Sequence, residues 1–184
     1  DRFILGLGVS APAANVRRGI LYEKPYSFMK EYLTKMKDML YTAPAPPKDP
    51  PIVLAALRPK MLQLAATETH GTHTYFVPPA QTAATRALLG PTPWICAEQA
   101  VLLETNPTKA RQAARNYMTT YLRNPNYKAM LSPFGFTDAD FDNGISDRLV
   151  DAIVAWGDED AVRARINAHY QAGASHVCIL PLGP

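Results

Sequence analysis

Several groupings in this 184-residue chain hold residue types that could do chemistry. Leu57-Arg58-Pro59-Lys60 places two cations where a strand should turn into a helix. Pro59 suits a first helical position, because a helix start leaves its N–H groups unpaired anyway. The N–H groups of residues 60–62 would then point outward beside two positive charges, which is what a phosphate site needs. A solvated basic turn has the same sequence, and both readings stand. Gly6-Leu7-Gly8-Val9-Ser10-Ala11 satisfies the G-x-G-x-x-A dinucleotide fingerprint after a strand-like run. That fingerprint needs a helix opening inside the motif, whereas Pro12, Asn15 and Gly19 mark 10–19 as loop. The acidic residue expected about 20 positions on falls in a helical stretch around Phe28. A strand-end turn is the better account.

Other candidates are weaker. Glu68, His70 and His73 could ligate a metal, but a His pair at i, i+3 with no further ligand reads as polar loop. Asp138, Asp140 and Asp142 resemble the start of a calcium loop, yet Asn143 and Leu149 stand where the turn glycine and bidentate glutamate belong. Asp147 and Asp151 read as a solvated helix face, His169 as a helix-surface residue and His176 as structural. No P-loop, G-x-S-x-G or C-x-x-C occurs, so the catalytic residues stay unknown and no metal is expected.

The positions of these groupings depend on an alternation of strands and helices. Runs 2–7 (RFILGL), 52–56 (IVLAA), 73–77 (HTYFV), 94–104 and 176–180 (HVCIL) read as strands, the third ended by Pro78-Pro79. A helix opens at Pro25 with Phe28, Met29, Tyr32, Leu33, Met36 and Leu40 on one face. Further helices are expected over 60–66, 82–89, 107–122 and 147–156, and from the Asp158 cap to Gly173. The proline-rich stretch 42–51 (TAPAPPKDPP) reads as a connector within one domain. Helical crossovers between apolar strands imply parallel neighbours buried on both faces, hence an α/β fold. A doubly wound sheet and a (β/α)8 barrel compete. A whole barrel takes about 250 residues, so five strands would be its last five.

Composition narrows the function classes. The chain is 47% apolar and 19% charged, which excludes a disordered chain. A net charge of +3 spread along the chain does not suggest a nucleic-acid partner. No apolar run is long enough for a membrane span. Two cysteines make no disulfide framework, and Cys96 and Cys178 in apolar runs read as buried thiols of a reducing, cytoplasmic compartment. There is no signal peptide, and Asp1 leads directly into a strand, as where a chain is met part-way through a fold.

Taken in order, the segments RFILGLGVS (2–10), YEKP (22–25), PPIVLAALRPKMLQLAA (50–66), EQAVLLETNPTKARQAARNYMTTYLRNPNY (98–127), GFTDADF (135–141), SDRLVDAIVAWGDEDAV (146–162) and AGASHVCI (172–179) resemble the bacterial luciferase-like oxidoreductases. The nearest resemblance is to their coenzyme F-420-dependent branch. It implies a single domain over 1–184 that is the C-terminal part of a TIM barrel, with 2–7 as the fourth strand and 176–180 as the eighth. It implies an oxidoreductase or monooxygenase using coenzyme F-420, or FMN instead, on a small organic substrate. The alternative is a truncated, non-catalytic relative that binds cofactor phosphate weakly or serves as an oligomerising module. By position the resemblance assigns cofactor contacts to Gly8, Val9 and Ser10, to Ala55, Ala56, Leu57, Arg58, Lys60 and Met61, and to Tyr75 and Val77. Ala11 stands where the family usually has His, and Arg58 where it usually has Gly. Arg58 either adds a charged contact to a phosphate or blocks the approach. Two open sheet edges imply a homodimer.

Overall fold

The computed structural model describes residues 3–44, 46–142 and 144–183. Six helices start the same way, with a proline in the first turn: α1 (Pro12–Arg17), α2 (Pro25–Lys37), α3 (Pro59–Glu68), α4 (Pro79–Leu89), α5 (Pro107–Leu122) and α6 (Pro125–Leu131). A first-turn proline loses no hydrogen bond there and arrives with a helical φ. The other three α-helices among the described residues start on polar residues. In α7 (Asp138–Phe141) the Asp140 carboxylate accepts from the Thr137 N–H at 2.9 Å. Ser146 caps α8 (Asp147–Ile153), and Asp158 caps α9 (Glu159–Gln171).

The sheet holds β1 (Leu5–Leu7), β2 (Ile52–Ala55), β3 (Gly71–Thr74), β4 (Trp94–Leu103), β5 (Val154–Gly157) and β6 (His176–Pro181), and every pairing is parallel. β1, β2, β3, β4 and β6 follow one another in chain order. A doubly wound sheet reverses its strand order at a switch point, and this succession has none. It is the progression of a (β/α)8 barrel, carried over part of its circumference. β5 is an addition to it. Ala100 pairs with Leu180 of β6 and with Val154 of β5, so β5 takes the edge of β4 opposite β6. That is the edge β3 occupies further back, ending at the pair Thr74–Ala97. Residues 98 and 99 therefore face a break in the ladder on that edge. Their side chains fill it: Glu98 Oε2 accepts the Phe76 N–H at 3.0 Å, and Gln99 Nε2 donates to the Ile153 carbonyl at 2.9 Å.

Several expectations need correcting. Residues 12–17 are helix rather than loop: Pro12 opens the helix, and Asn15 is buried with its amide donating to the Val9 carbonyl at 3.0 Å. Helix 147–156 stops at Ile153, and Val154–Gly157 is a sixth strand. Pro79 begins α4 instead of ending a strand. The third strand is Gly71–Thr74, so Tyr75 and Val77 lie beyond it. On α2 only Met29 and Leu33 are buried, against Leu54, Leu64 and Ala65; Phe28 and Tyr32 stack on each other outside and Leu40 is exposed. The larger core joins β4, β5, α5, α6 and α8 through residues such as Ala97, Leu102, Met118, Leu131, Leu149 and Ile153.

Candidate functional site

A cavity of about 310 Å³ opens where β1, β2 and β3 end. In parallel barrels the loops at that end of the strands form the binding face. Nine expected contacts line it: Val9 and Ser10 after β1, Ala55, Ala56, Leu57 and Arg58 at the end of β2, Lys60 and Met61 on α3, and Tyr75 after β3. The other two do not. Gly8 is exposed beside β2, where a Cβ would come within 3.1 Å of the Ala55 Cβ. Val77 points into the main core, because the left-handed backbone at Phe76 (φ 61°) turns the chain between Tyr75 and Val77. Tyr22, Pro25 and Tyr26, and Asn124, Asn126 and Tyr127 from the start of α6, complete the lining, along with His73.

The start of α3 supplies the charge. Arg58 is extended (φ −113°, ψ 149°), a conformation open to any residue, so the arginine creates no backbone strain there. The first helical bond runs from the Leu62 N–H to the Arg58 carbonyl at 3.0 Å, and no side chain caps the helix. The Lys60 and Met61 N–H groups are therefore left for another acceptor. Arg58 and Lys60 are exposed and form no ion pair among the described residues. An anion placed here would meet two mobile cations, free amides and a helix dipole. Val9, Ala55, Ala56 and Met61 add apolar surface to the same cavity, suited to a flat ring.

The floor is neutral and aromatic. Tyr117 donates to the Tyr75 hydroxyl at 3.2 Å, and Tyr75 donates to Tyr121 at 2.8 Å. Burial pushes the Tyr75 and Tyr117 phenols well above their ordinary value and Tyr127 up to about 12. Burial also lowers His73, which stays an uncharged imidazole at neutral pH. Glu98 follows Ala97, the residue paired with Thr74 at the end of β3. It is 5% exposed, and burial raises its carboxyl to about 7 against the opposing pull of the Phe76 N–H and Tyr117. Cys96 is buried, Cys178 is half-buried, and both are free thiols. Burial raises the first to about 11 and the second in the same direction, so neither is an activated nucleophile.

The remaining candidates separate. Glu68 pairs with Lys37 at 3.0 Å, and His70 Nδ1 accepts from the Ile52 N–H, far from acting with His73 on one ion. Asp147 and Asp151 are not a free solvated face: Arg111 spans both, Arg115 joins Asp147, and the Trp156 indole donates to Asp151 at 2.7 Å. These contacts dock α5 on α8. His169 is fully buried rather than on the surface, between Thr82 of α4 and Gln99 of β4. Sequence reasoning passed over Glu98 and Gln99. Two adjacent polar residues in the middle of a buried ten-residue strand were the available signal.

Residues 1–176 match the profile of a family described as luciferase-like monooxygenase. Comparison with curated protein sequences gives no match. Among solved structures, the chain is similar to an F-420-dependent secondary alcohol dehydrogenase held with an F-420–acetone adduct, at TM-score 0.73 and 14% identity over 98% of this chain and 64% of that one. It is also similar to a coenzyme F-420-dependent tetrahydromethanopterin reductase from Methanopyrus kandleri, at TM-score 0.63 and 16% identity over 97% and 67% of the two chains. A monooxygenase from Streptomyces bottropensis gives TM-score 0.60 and 18% identity over 100% and 63%. The chain thus spans about two thirds of the length of these structures.

Proposed function

The chain belongs to the luciferase-like monooxygenase family, and on that premise we propose that the cavity binds a deazaflavin, coenzyme F-420, or alternatively FMN, for an oxidoreductase acting on a small organic substrate. When bound, such a cofactor supplies hydride transfer or reaction with oxygen. The residues present fit it. Arg58, Lys60 and the free amides of α3 hold its phosphate end. Val9, Ala55, Ala56 and Met61 would give its ring apolar neighbours. His73 and Tyr75 offer uncharged hydrogen-bonding groups at the floor, which orient a polar edge without adding charge. One observation carries the reading: two cations without partners among the described residues share a cavity with a small-residue apolar wall. The F-420 named for two similar structures supports the deazaflavin over the flavin.

The test is fluorescence titration of the purified chain with F-420, FMN and phosphate-free riboflavin. Saturable binding of the first or second, weakened by salt and lost with riboflavin, is expected. Equal binding of FMN and riboflavin, or no binding of any of them, refutes the phosphate assignment.

A second reading rests on a different observation. Within residues 3–41, Phe3, Val16, Leu21, Phe28, Met39 and Leu40 are all more than half exposed. So many large apolar side chains left in water within one segment favour a covering partner. It supports a partial barrel that pairs with a second copy, binds cofactor phosphate and has no turnover of its own. The free thiols fit a cytoplasmic location, and among the described residues no helix is long and apolar enough to cross a membrane.

A further inference from the structure

We propose that the groove between α3, α4 and the 3₁₀ turn Ser132–Phe134 binds a small apolar carboxylic acid that carries a hydroxyl away from its carboxylate. The groove has a volume of about 280 Å³, the small end of the range for ligand sites. Pro59 and Pro79 start α3 and α4, which pack against each other. Ala84 lines the gap from α4, where a longer side chain would have closed it, and the rings of Pro59 and Pro133 cannot swing in to fill it. Leu57, Leu62, Leu88, Met130 and Phe134 make the rest of the wall apolar.

Two polar features say what would occupy it. Arg58 is the one charged residue in the lining; it is exposed and forms no ion pair among the described residues. A guanidinium holds a carboxylate by charge-assisted hydrogen bonds, so a cation beside apolar walls suits an acid with an apolar body. Gln81 lines the same groove although only 7% of it is exposed. Its amide nitrogen donates to the Thr85 hydroxyl one turn on at 3.3 Å, and its oxygen has no partner among the described residues. A clasp within the helix needs the nitrogen alone. A desolvated amide oxygen destabilises the fold until something donates to it. A ligand hydroxyl supplies that donor, and a plain hydrocarbon end does not. Arg58 also lines the cavity beside Lys60, so the two sites share one guanidinium. An acid in the groove and a phosphate in the cavity therefore weaken each other's binding, and the effect is reciprocal. That coupling rests on the cofactor reading; binding in the groove does not.

Titration of the chain with para-hydroxyphenylpropionate, followed by proton–nitrogen NMR correlation spectra, locates and measures the binding. Saturable shifts centred on 57–62, 81–88 and 130–134 are expected. Phenylpropionate lacks the hydroxyl and para-propylphenol lacks the carboxylate, and each should bind roughly 3- to 10-fold more weakly. Gln81→Leu should abolish the preference for the hydroxyl, and Arg58→Ala the preference for the carboxylate. Ala84 is exposed, so Ala84→Trp leaves the core untouched, and by filling the groove it should abolish binding of all three compounds. Lys60 lies outside the groove, and Lys60→Ala should leave their affinities unchanged. No saturable shift in the parent, equal affinity for the three compounds, or binding that survives Ala84→Trp overturns the proposal. So does weakening by Lys60→Ala, which would put the acid in the cavity instead. F-420 fluorescence titration in saturating para-hydroxyphenylpropionate reads the coupling. F-420 affinity should fall roughly 3- to 10-fold in the parent and stay constant in Arg58→Ala. An F-420 affinity indifferent to the acid in the parent overturns the shared guanidinium. Absence of F-420 binding refutes the cofactor reading, and the NMR titration then decides for or against the groove.

Discussion

Acidification should destabilise the chain through one buried histidine. His169 has no exposed surface, and its two ring nitrogens meet Thr82 Oγ1 at 2.9 Å and Gln99 Oε1 at 3.0 Å. Both Gln99 amide hydrogens are taken by the carbonyls of Ala100 and Ile153, so its oxygen accepts and His169 Nε2 must carry the hydrogen. Nδ1 is then the acceptor for Thr82, and a second proton has no acceptor waiting. Burial, with Arg165 nearby, lowers the ring from 6.5 to about 4. The folded value is the lower one, so the stabilisation is complete above 6.5 and is lost as the unfolded chain takes up a proton that the folded chain refuses. Between pH 7 and pH 4.5 the loss is about 2 kcal/mol, and it levels off at about 3 kcal/mol below pH 4. Urea unfolding of the parent and of His169→Gln at both pH values isolates the histidine from the carboxylates, whose losses the two share. The parent should lose about 2 kcal/mol more than the variant. A difference under about 0.5 kcal/mol, or a ring-proton NMR titration of the parent centred near 6.5, would refute the reasoning.

Arg58→Ala and Lys60→Ala should each weaken F-420 binding by roughly 3- to 10-fold, the lower part of the range for charge-assisted bonds because both side chains are exposed; titration in low and raised salt checks it. Gly71→Ala should cost about 3 kcal/mol or more in urea unfolding, because φ is +155° and the new Cβ would lie 2.1 Å from the Trp94 carbonyl oxygen. Light scattering at high micromolar concentration should return the mass of a dimer, and a stable monomer would count against the pairing of exposed apolar surfaces between 3 and 41.

The barrel succession was legible where β1, β2, β4 and β6 are apolar runs closed by a glycine, a proline or a charged turn; β3 is Gly-Thr-His-Thr, and the apolar run that follows it drew the expected strand two residues too far along. Pro25, Pro59 and Pro107 announced helices because amphipathic periodicity followed them. Pro12 carries the same physics, but the five residues after it, Ala13–Arg17, are too few to show a helical apolar stripe. β5 was hidden for the opposite reason: Ile153 and Val154 are adjacent and apolar, and no breaker separates helix from strand. Of the contacts expected through resemblance, Gly8 and Val77 do not line the cavity, and at Val77 a single left-handed residue reverses which side of the chain faces it. Nothing in a sequence marks a phenylalanine for that conformation. His169 was misplaced because its partners, Thr82 and Gln99, are 87 and 70 positions away.

β4 has one further consequence. From Cys96 to Ala97 it is held by β3 and β6 together, and at Ala100 and Val101 by β5 and β6, with the side chains of Glu98 and Gln99 bridging the interval. No other strand has both edges engaged over so long a stretch among the described residues. Its amides are held alternately by neighbours on the two sides, so exposing the whole strand requires both to let go and deuterium uptake should be slowest there. β1, held by β2 alone, should exchange early. The cavity lies at the β1 side of that gradient. A ligand that bridges the loop after β1 to the start of α3 would therefore slow exchange most where the protein alone protects least, and leave β4 almost unchanged.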